Sequence, residues 1–394
     1  MDQVDRRFKF LLASRAVRSA ALSFSAVSYP LYLSLIGFSN VNVGLMTFLV
    51  MVFTVIQSLL LGFLGDRLGF RAILIMGDLF PLVSLLVLAF AGTGPLIYLS
   101  VIGGIGGGPG GMRGAFSTGT TAIIAKNWNE TAERIVKLGL LTSVGAMFST
   151  VGGSLLISRT SLIQYFGVSG SYRFLFEISA ILVAASIIFL IFVAERKVHV
   201  ERRRHEVVTP QSRKHVMKVV IANGFNGAGI GVAMPILSLW FHVMYPYADS
   251  TEIGIVFTLS YASMAIGSFL SSRFSFVRKN PSMVGAYGRM LQGLIMIPVA
   301  LSPFFWLSGT LYVGRMFIAG FGAPSRTSIN VSGLNAGDYG SGSSIQASAA
   351  RIAQTTSGTS GYLMDAYIPL PEIIGGIIQF FAGVVFMKLF VKKR

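Results

Sequence analysis

The stretch GFLGDRLGFR, residues 62 to 71, places one aspartate and two arginines between two long apolar runs. Its glycines leave room for helices to approach each other closely. Asp66 can face the positive end of a neighbouring helix, while Arg67 and Arg71 can pair with carboxylates or with lipid head groups. The stretch therefore predicts a charged junction between two membrane-spanning helices.

The composition indicates a membrane protein. Hydrophobic residues make up 53% of the 394 residues and charged residues only 12%, with a mean hydropathy of +0.70. This balance leaves too little polar surface to coat a soluble protein of this length. The apolar runs are continuous rather than alternating, which favours helices over a β-barrel. With no cysteine and four scattered histidines, no disulfide, metal site or redox cofactor is predicted.

Twelve segments are long and apolar enough to cross a bilayer as helices, since a helix needs about 20 residues to do so. The first segment has a basic start like that of a signal peptide. Its apolar run is long and is interrupted by Arg15 and Arg18, which favours a retained helix. The predicted fold class is an all-α integral membrane protein with twelve transmembrane helices. These predicted spans 1 to 12 cover residues 12–36, 43–63, 71–91, 95–123, 137–158, 173–194, 216–241, 252–272, 283–302, 305–331, 342–364 and 371–390.

The basic residues are distributed unevenly between the loops. If the N-terminus is cytoplasmic, the inner loops and tails hold 23 of the 32 Lys and Arg residues, and the outer loops only Arg159 and Arg173. Basic residues are retained on the cytoplasmic side, so both termini are predicted to be cytoplasmic, in the cell membrane. This bias also accounts for the net charge of +17. The basic run at 195–206 is expected to meet anionic lipids, and no nucleic-acid partner is predicted.

The basic run divides the chain into two halves that resemble each other. An offset of 205 residues aligns Pro30 with Pro235, and an offset of 215 aligns Pro109 with Pro324. Such anchors in the same order indicate two duplicated, pseudo-symmetric six-helix bundles. The predicted domains are an N-terminal six-helix bundle, a basic cytoplasmic linker and a C-terminal six-helix bundle, at residues 1–194, 195–215 and 216–394.

The junction stretch resembles the signature of the major facilitator superfamily between helices 2 and 3. That signature reads glycine, three residues, aspartate, arginine or lysine, one residue, glycine, one residue, arginine or lysine. Gly62, Asp66, Arg67, Gly69 and Arg71 match every defined position. The twelve spans and the six-plus-six repeat extend the resemblance over essentially the whole chain. The resemblance implies that these five residues form a gating motif, which locks the cytoplasmic helix ends when the carrier faces outward.

The resemblance also implies a secondary active transporter, which exposes a small solute alternately to the two sides of the membrane. Spans 1, 4, 7 and 10 would line the central cavity, and spans 2, 5, 8 and 11 would flank it. The expected partners of this monomer are a small-molecule solute, protons and membrane lipids, without a cofactor. An enzyme is not predicted, because the sequence shows no constellation of nucleophile, base and metal ligands.

Charged residues inside the spans are candidates for function because charges in hydrocarbon are costly. Apart from Arg71 and Arg173 at span boundaries, seven arginines fall within spans, against few acids such as Asp78, and the cavity-lining spans hold no acid. Arg351 lies deep in the polar span 11 and is the hardest to explain structurally. The predicted substrate-binding residues are Arg18, Tyr29, Tyr32, Arg113, Asn223, Asn226, Arg315 and Arg351.

Several of these residues have structural alternatives. Arg18 and Arg113 lie near cytoplasmic helix ends, where arginine can reach lipid phosphates. The two asparagines of span 7 could bridge helices, and the two tyrosines of span 1 could belong to an interfacial belt. Asp78 and Arg289, in the peripheral spans 3 and 9, are expected to pack or to form ion pairs rather than to contact solute.

The excess of arginine predicts that the solute is a small anion, with proton symport as the mode of transport. The alternative is a multidrug/proton antiporter. Span 5 argues against this alternative, because Ser149 and Thr150 stand where antiporters of the family carry a glycine-proline motif. A carrier of cationic drugs would also be expected to hold a carboxylate in its cavity.

Overall fold

The computed structural model describes residues 3–105, 120, 123–124, 131–193, 195, 208–335 and 338–391. Nearly all of these residues are helical, and none of them lies in a strand. Within these ranges, nine helices are long and apolar enough to cross a membrane. The predicted all-α membrane class is therefore confirmed.

The helices of the first half overlap the predicted spans, and several of them extend beyond the predicted bounds. Span 4 begins as a 3₁₀ helix, and beyond residue 105 it is described only at residues 120 and 123. Span 6 begins earlier than predicted and kinks at Gly167, whose φ of +69° is left-handed and suits glycine. In chain order the bounds are Gln3–Leu35, Asn40–Leu68, Phe70–Phe90, Pro95–Gly103, Thr131–Ile157 and Thr160–Ile191.

Two spans of the second half are interrupted. Span 7 consists of the helices Pro210–Ala233 and Leu237–Met244, separated at Pro235, which cannot donate a backbone hydrogen bond. In span 11 the stretch Gln354–Thr359 is a 3₁₀ helix between two α-helices. The remaining bounds are Ser250–Arg273 for span 8, a short helix Ser275–Lys279, Pro281–Leu301 for span 9, Phe305–Ser332 for span 10, Tyr339–Ala353 and Ser360–Ala366 in span 11, and Leu370–Phe390 for span 12.

The junction between spans 2 and 3 is a single residue rather than a loop. Gly69 alone separates the two helices, and its φ of +89° is one that side-chain-bearing residues rarely adopt. The carboxylate of Glu195 accepts a 2.9 Å hydrogen bond from the backbone N–H of Arg71. This N–H belongs to the first turn of span 3 and has no acceptor in its own helix, so Glu195 caps span 3.

The chain forms two compact units, namely Met1–His199 with Pro235–Thr258, and Val200–Met234 with Leu259–Arg394. In the first unit, span 1 packs on spans 5 and 6, and span 3 packs on spans 4 and 6. In the second unit, span 7 packs on spans 11 and 12, and span 9 packs on spans 10 and 12. The second pattern repeats the first after a shift of six spans, as the internal repeat predicts. Residues 196–207 of the predicted linker lie outside the described residues, and the domain boundaries stay a prediction.

Glycines allow the packed helices to touch through their backbones. A Cβ added at Gly145 of span 5 would overlap the carbonyl oxygen of Ala16 in span 1, and one at Gly227 of span 7 would overlap that of Ala350 in span 11. Small residues at helix contacts are the usual means of close packing in membranes, where lipid leaves little hydrophobic drive between helices.

Candidate functional site

A buried ion cluster joins spans 1, 3 and 6 of the first unit. Arg18 Nε donates a 2.7 Å hydrogen bond to Asp78 Oδ1, and Arg15 Nη2 donates one of 3.0 Å to Oδ2. The hydroxyl of Ser186 donates to the same Oδ2 at 2.9 Å. Asp78 is fully buried and both arginines are nearly so. This cluster accounts for the predicted ion pairing of Asp78, and it directs Arg18 toward span 3 rather than toward lipid.

The two predicted tyrosines of span 1 bind neighbouring spans within the first unit. Tyr29 shares a 3.1 Å hydrogen bond with Ser100 of span 4. The hydroxyl of Tyr32 accepts a 3.2 Å hydrogen bond from Arg173 Nε of span 6, and its ring meets the edge of Phe176 with centroids 5.2 Å apart. Both tyrosines are fully buried. They therefore lie in the interior of the first unit rather than in an exposed aromatic belt.

Arg289 of span 9 links to span 7 in the second unit. Its Nη2 donates a 2.6 Å hydrogen bond to Asn223 Oδ1, and its Nη1 donates one of 3.0 Å to the carbonyl oxygen of Ala222. The guanidinium also lies 4.7 Å from the ring centroid of Phe386 in span 12. Asn223 thus bridges two spans in this structure, while Asn226, one turn farther along, is half-buried.

A second polar cluster of this unit surrounds Arg315 of span 10. Arg315 Nη2 donates a 2.8 Å hydrogen bond to Gln379 Oε1 of span 12, and its guanidinium lies 5.8 Å from the ring centroid of Tyr312. Glu372, also in span 12, is close enough to interact electrostatically with Arg315. Glu372 is fully buried, and neither of its carboxyl oxygens has a hydrogen-bond partner among the described residues.

Glu372 is not among the residues that the sequence singles out. It lies in the first turn of span 12, where an acidic residue commonly complements the helix dipole. A sequence pattern therefore gives it an ordinary explanation. Only its complete burial and its unpartnered oxygens distinguish it, and both depend on the packing around it.

Arg351 is buried where span 11 changes its helical form. It lies in the last turn of the helix Tyr339–Ala353, immediately before the 3₁₀ stretch, and its exposed fraction is 7%. Other polar residues of this span bind neighbouring spans. Gln346 Nε2 donates to the carbonyl of Asn330 in span 10 at 3.1 Å, and Thr356 donates to a span 7 carbonyl at 2.8 Å. Part of the polar stripe therefore serves helix packing.

The gating motif lies at the end of span 2 and the start of span 3. Gly62, Asp66 and Arg67 belong to the last two turns of the span 2 helix, and their side chains fall outside the described part of the structure. Gly69 and Arg71 form the junction that Glu195 caps. The motif is thus built into two nearly continuous helices.

The hydrogen bonds of the described site residues lead to different neighbouring spans. Arg18, Tyr29 and Tyr32 share span 1 but have separate partners, as do Asn223 and Arg315 in the second unit. Arg113 and most of the glycine run 103–111 lie outside the described residues.

Comparisons with known proteins agree on one family. The model of the Major Facilitator Superfamily matches residues 11–358. An auto-inhibited peptide transporter of the POT family superposes with a TM-score of 0.76 at 12% identity, covering 99% of this chain and 97% of its own. A D-xylose-proton symporter gives 0.74 at 14%, covering 97% of each chain. The human organic anion transporter MFSD10 (TETRAN) gives 0.63 at 14%, covering 98% and 100%.

Comparison with curated protein sequences gives no match. The family match spans most of the chain, and similarity to the solved structures shows the same fold. Recognition of the family from the junction motif is confirmed, and the protein is a multi-pass membrane protein with the fold of a transporter. The chain belongs to the major facilitator superfamily.

Proposed function

We propose that this chain is a secondary active transporter that moves a small anionic solute together with protons by alternating access. In this proposal it acts as a monomer in the cell membrane, with both termini in the cytoplasm. Arg315 and Arg351 supply charge to the solute, and Asn226 supplies a polar contact. The motif at residues 62–71 holds a conformational gate.

The observation that carries the proposal is buried positive charge held by neutral acceptors. Arg289 donates to a backbone carbonyl and to an amide, and no carboxylate lies within ion-pair distance of it among the described residues. Arg315 donates to the amide oxygen of Gln379, and Glu372 lies close enough to interact with it electrostatically. Neutral oxygens accept hydrogen bonds from these arginines but do not cancel their charge. In a low-dielectric interior such charge attracts anions strongly.

Proteins of the same fold lend support to each half of the proposal. One of the similar structures is an organic anion transporter, and two others are proton symporters, for D-xylose and for fucose. Their identities to this chain are 14%, 14% and 15%, so they illustrate what the fold accommodates. The choice of an anion for this chain rests on its own arginines.

A multidrug/proton antiporter is the second candidate. The observation in its favour is Glu372, a buried carboxylate of the kind that a carrier of cationic drugs requires. The neighbouring Arg315 weakens this reading, because its positive charge would repel a cation from the same cluster.

Uptake into liposomes that contain the purified protein tests the proposal. The radiolabelled probes are inorganic phosphate, lactate and succinate, and the cationic probe is ethidium, each with and without an inwardly directed proton gradient. We expect saturable uptake of one of the anions, accelerated by the gradient. Ethidium movement without transport of any of the three anions would support the antiporter instead, and gradient-independent anion uptake would remove the proton coupling.

A further inference from the structure

The buried carboxyl group of Glu372 has no hydrogen-bond partner among the described residues. An ionised carboxylate in an apolar interior is costly unless it is paired and hydrogen-bonded. Glu372 is fully buried, and neither oxygen accepts a hydrogen bond from any described residue. A proton is the smallest ligand that removes this cost, and it needs no cavity.

The groups that face Glu372 come mainly from span 10. Arg315 and Tyr312 both interact with it electrostatically, and Tyr261 of span 8 does so with Tyr312. In the first turns of span 12, Gly375 meets Ala233 of span 7 and Gly376 meets Met296 of span 9. On the preceding helix, the side chain of Asp365 is exposed. Arg315 is thus the principal charge acting on Glu372.

Two groups near Arg315 can accept a hydrogen bond from its guanidinium, namely the amide oxygen of Gln379 and the carboxylate of Glu372. Arg315 holds the amide oxygen of Gln379 at 2.8 Å, while the amide nitrogen of Gln379 has no described partner. In a low-dielectric interior a guanidinium is attracted more strongly to an ionised carboxylate than to a neutral amide, and the planar fork of arginine can bind a carboxylate through two hydrogen bonds. Loss of a proton from Glu372 would therefore draw the guanidinium away from the amide and toward the carboxylate.

Building on the proposed function, we propose that Glu372 is the residue that binds and releases the coupled proton, and that Arg315 moves between Gln379 and Glu372 as it does so. When Glu372 carries the proton, Arg315 stays on the neutral amide and its charge remains available to an anion. When Glu372 releases the proton to water, its carboxylate pairs with the guanidinium of Arg315 and neutralises that charge. Proton binding and anion binding therefore strengthen each other, which is the condition for symport.

Infrared spectroscopy of the purified protein tests the protonation directly, without a solute. The carbonyl stretch of a buried, protonated carboxylic acid is followed while the pH is raised. We expect such a band in the wild type, its loss in Glu372→Gln, and its retention in Asp365→Asn, which removes an exposed carboxylate of the same unit. A band that persists unchanged in folded Glu372→Gln, or no such band in the wild type at any pH, would overturn the assignment.

The Gln379→Leu variant tests the movement of Arg315. This substitution removes the amide acceptor and leaves Glu372 as the remaining acceptor of the pair, so the infrared band should disappear at lower pH than in the wild type. If Gln379 serves only in packing, the substitution should change the thermal stability but not the pH at which the band disappears. An unshifted band in folded Gln379→Leu would refute the exchange of acceptors.

Transport in liposomes separates this inference from the proposed function. With phosphate, lactate or succinate, whichever the wild type takes up, Glu372→Gln should retain solute exchange and lose stimulation by a proton gradient. If the wild type itself ignores the gradient, the proposed symport fails. If a proton gradient stimulates uptake equally in the wild type and in folded Glu372→Gln, proton symport is supported and the role of Glu372 is refuted.

Discussion

Arg18 Nε lies 2.7 Å from Asp78 Oδ1 in the interior of the first unit, and this ion pair joins span 1 to span 3. The carboxylate also binds Arg15, so removal of its charge leaves two buried guanidinium groups without it. Breaking a buried pair by removing one partner usually costs about 3–5 kcal/mol.

We therefore expect Asp78→Asn to lower the free energy of unfolding by about 3–5 kcal/mol. Thermal melting of the purified variant in detergent measures the change. The matched control is Glu177→Gln, a half-buried acid of span 6 in the same unit. Equal melting temperatures for Asp78→Asn and the wild type would contradict a structural role for this cluster.

Gly227→Ala tests the close contact between spans 7 and 11. The added methyl group would overlap the backbone of Ala350, so we expect a destabilisation of about 1–3 kcal/mol. Gly224, on the same helix, has open space around the added Cβ. Gly224→Ala should therefore stabilise the protein by about 0.5–1 kcal/mol through helix propensity. Similar melting temperatures for the two variants would show that the contact is not tight.

The Asp338 carboxylate predicts an acid-labile contact outside the membrane-spanning helices. Hydrogen bonds from Ser212 and Thr209 at the start of span 7 lower the pKa of Asp338. A depressed carboxyl pKa stabilises the folded protein fully above the unfolded value, about 3.9, and the contribution is lost as pH falls through the lower folded value.

The melting temperature of the wild type should thus fall more steeply below about pH 4 than that of Asp338→Asn. Scans of melting temperature from neutral to acid pH measure this difference, with Asp365→Asn as the exposed control. Parallel curves for the wild type and Asp338→Asn would disprove the linkage.

Asp66→Asn should leave the protein folded and impair turnover. The reason is the gating role that the junction motif implies, in which Asp66 holds one conformation and does not contact solute. Initial rates of anion uptake into liposomes, together with melting curves, check both parts. Wild-type uptake rates in a well-folded Asp66→Asn protein would refute the gating role of Asp66.

Arg351 is expected to bind the anion from the middle of span 11. If the contact is bidentate, Arg351→Lys should weaken binding and Arg351→Gln should nearly abolish it, because lysine keeps the charge but lacks the planar fork. Binding of the transported anion and melting of each variant are measured together. The control is Arg273→Gln, an exposed arginine at the end of span 8. Unchanged affinity in stable Arg351→Gln protein refutes the site.

Hydropathy locates the spans well, because a run of apolar residues must be helical in lipid whatever its neighbours are. It does not locate the breaks within them. Pro235 interrupts span 7, whereas Pro30, Pro81, Pro298 and Pro324 lie inside helices that continue. Whether a proline breaks a helix depends on how neighbouring groups satisfy the freed carbonyl, which the sequence does not show.

The candidate site was only partly predictable for a related reason. Arg18 and Arg315 are conspicuous in the sequence because charge is rare inside a span. Their partners are set by packing between spans far apart in the chain, such as Asp78 and Gln379. Glu372 is inconspicuous in the sequence because acids are common in the first turn of a helix, and only packing shows that its oxygens lack hydrogen-bond partners among the described residues.

Each half has a polar contact between its first and third spans. The arginine that makes this contact is on the first span in one half and on the third span in the other. In the first half, Arg18 of the first span reaches Asp78 of the third, whereas in the second half Arg289 of the third span reaches Asn223 of the first. Asn223 stands at the 205-residue offset from Arg18. Gene duplication followed by divergence accounts both for the shared position of Arg18 and Asn223 and for the presence of the donating arginine on the third span in the second half. A tandem of two first halves would therefore not reproduce the polar interior of the natural chain.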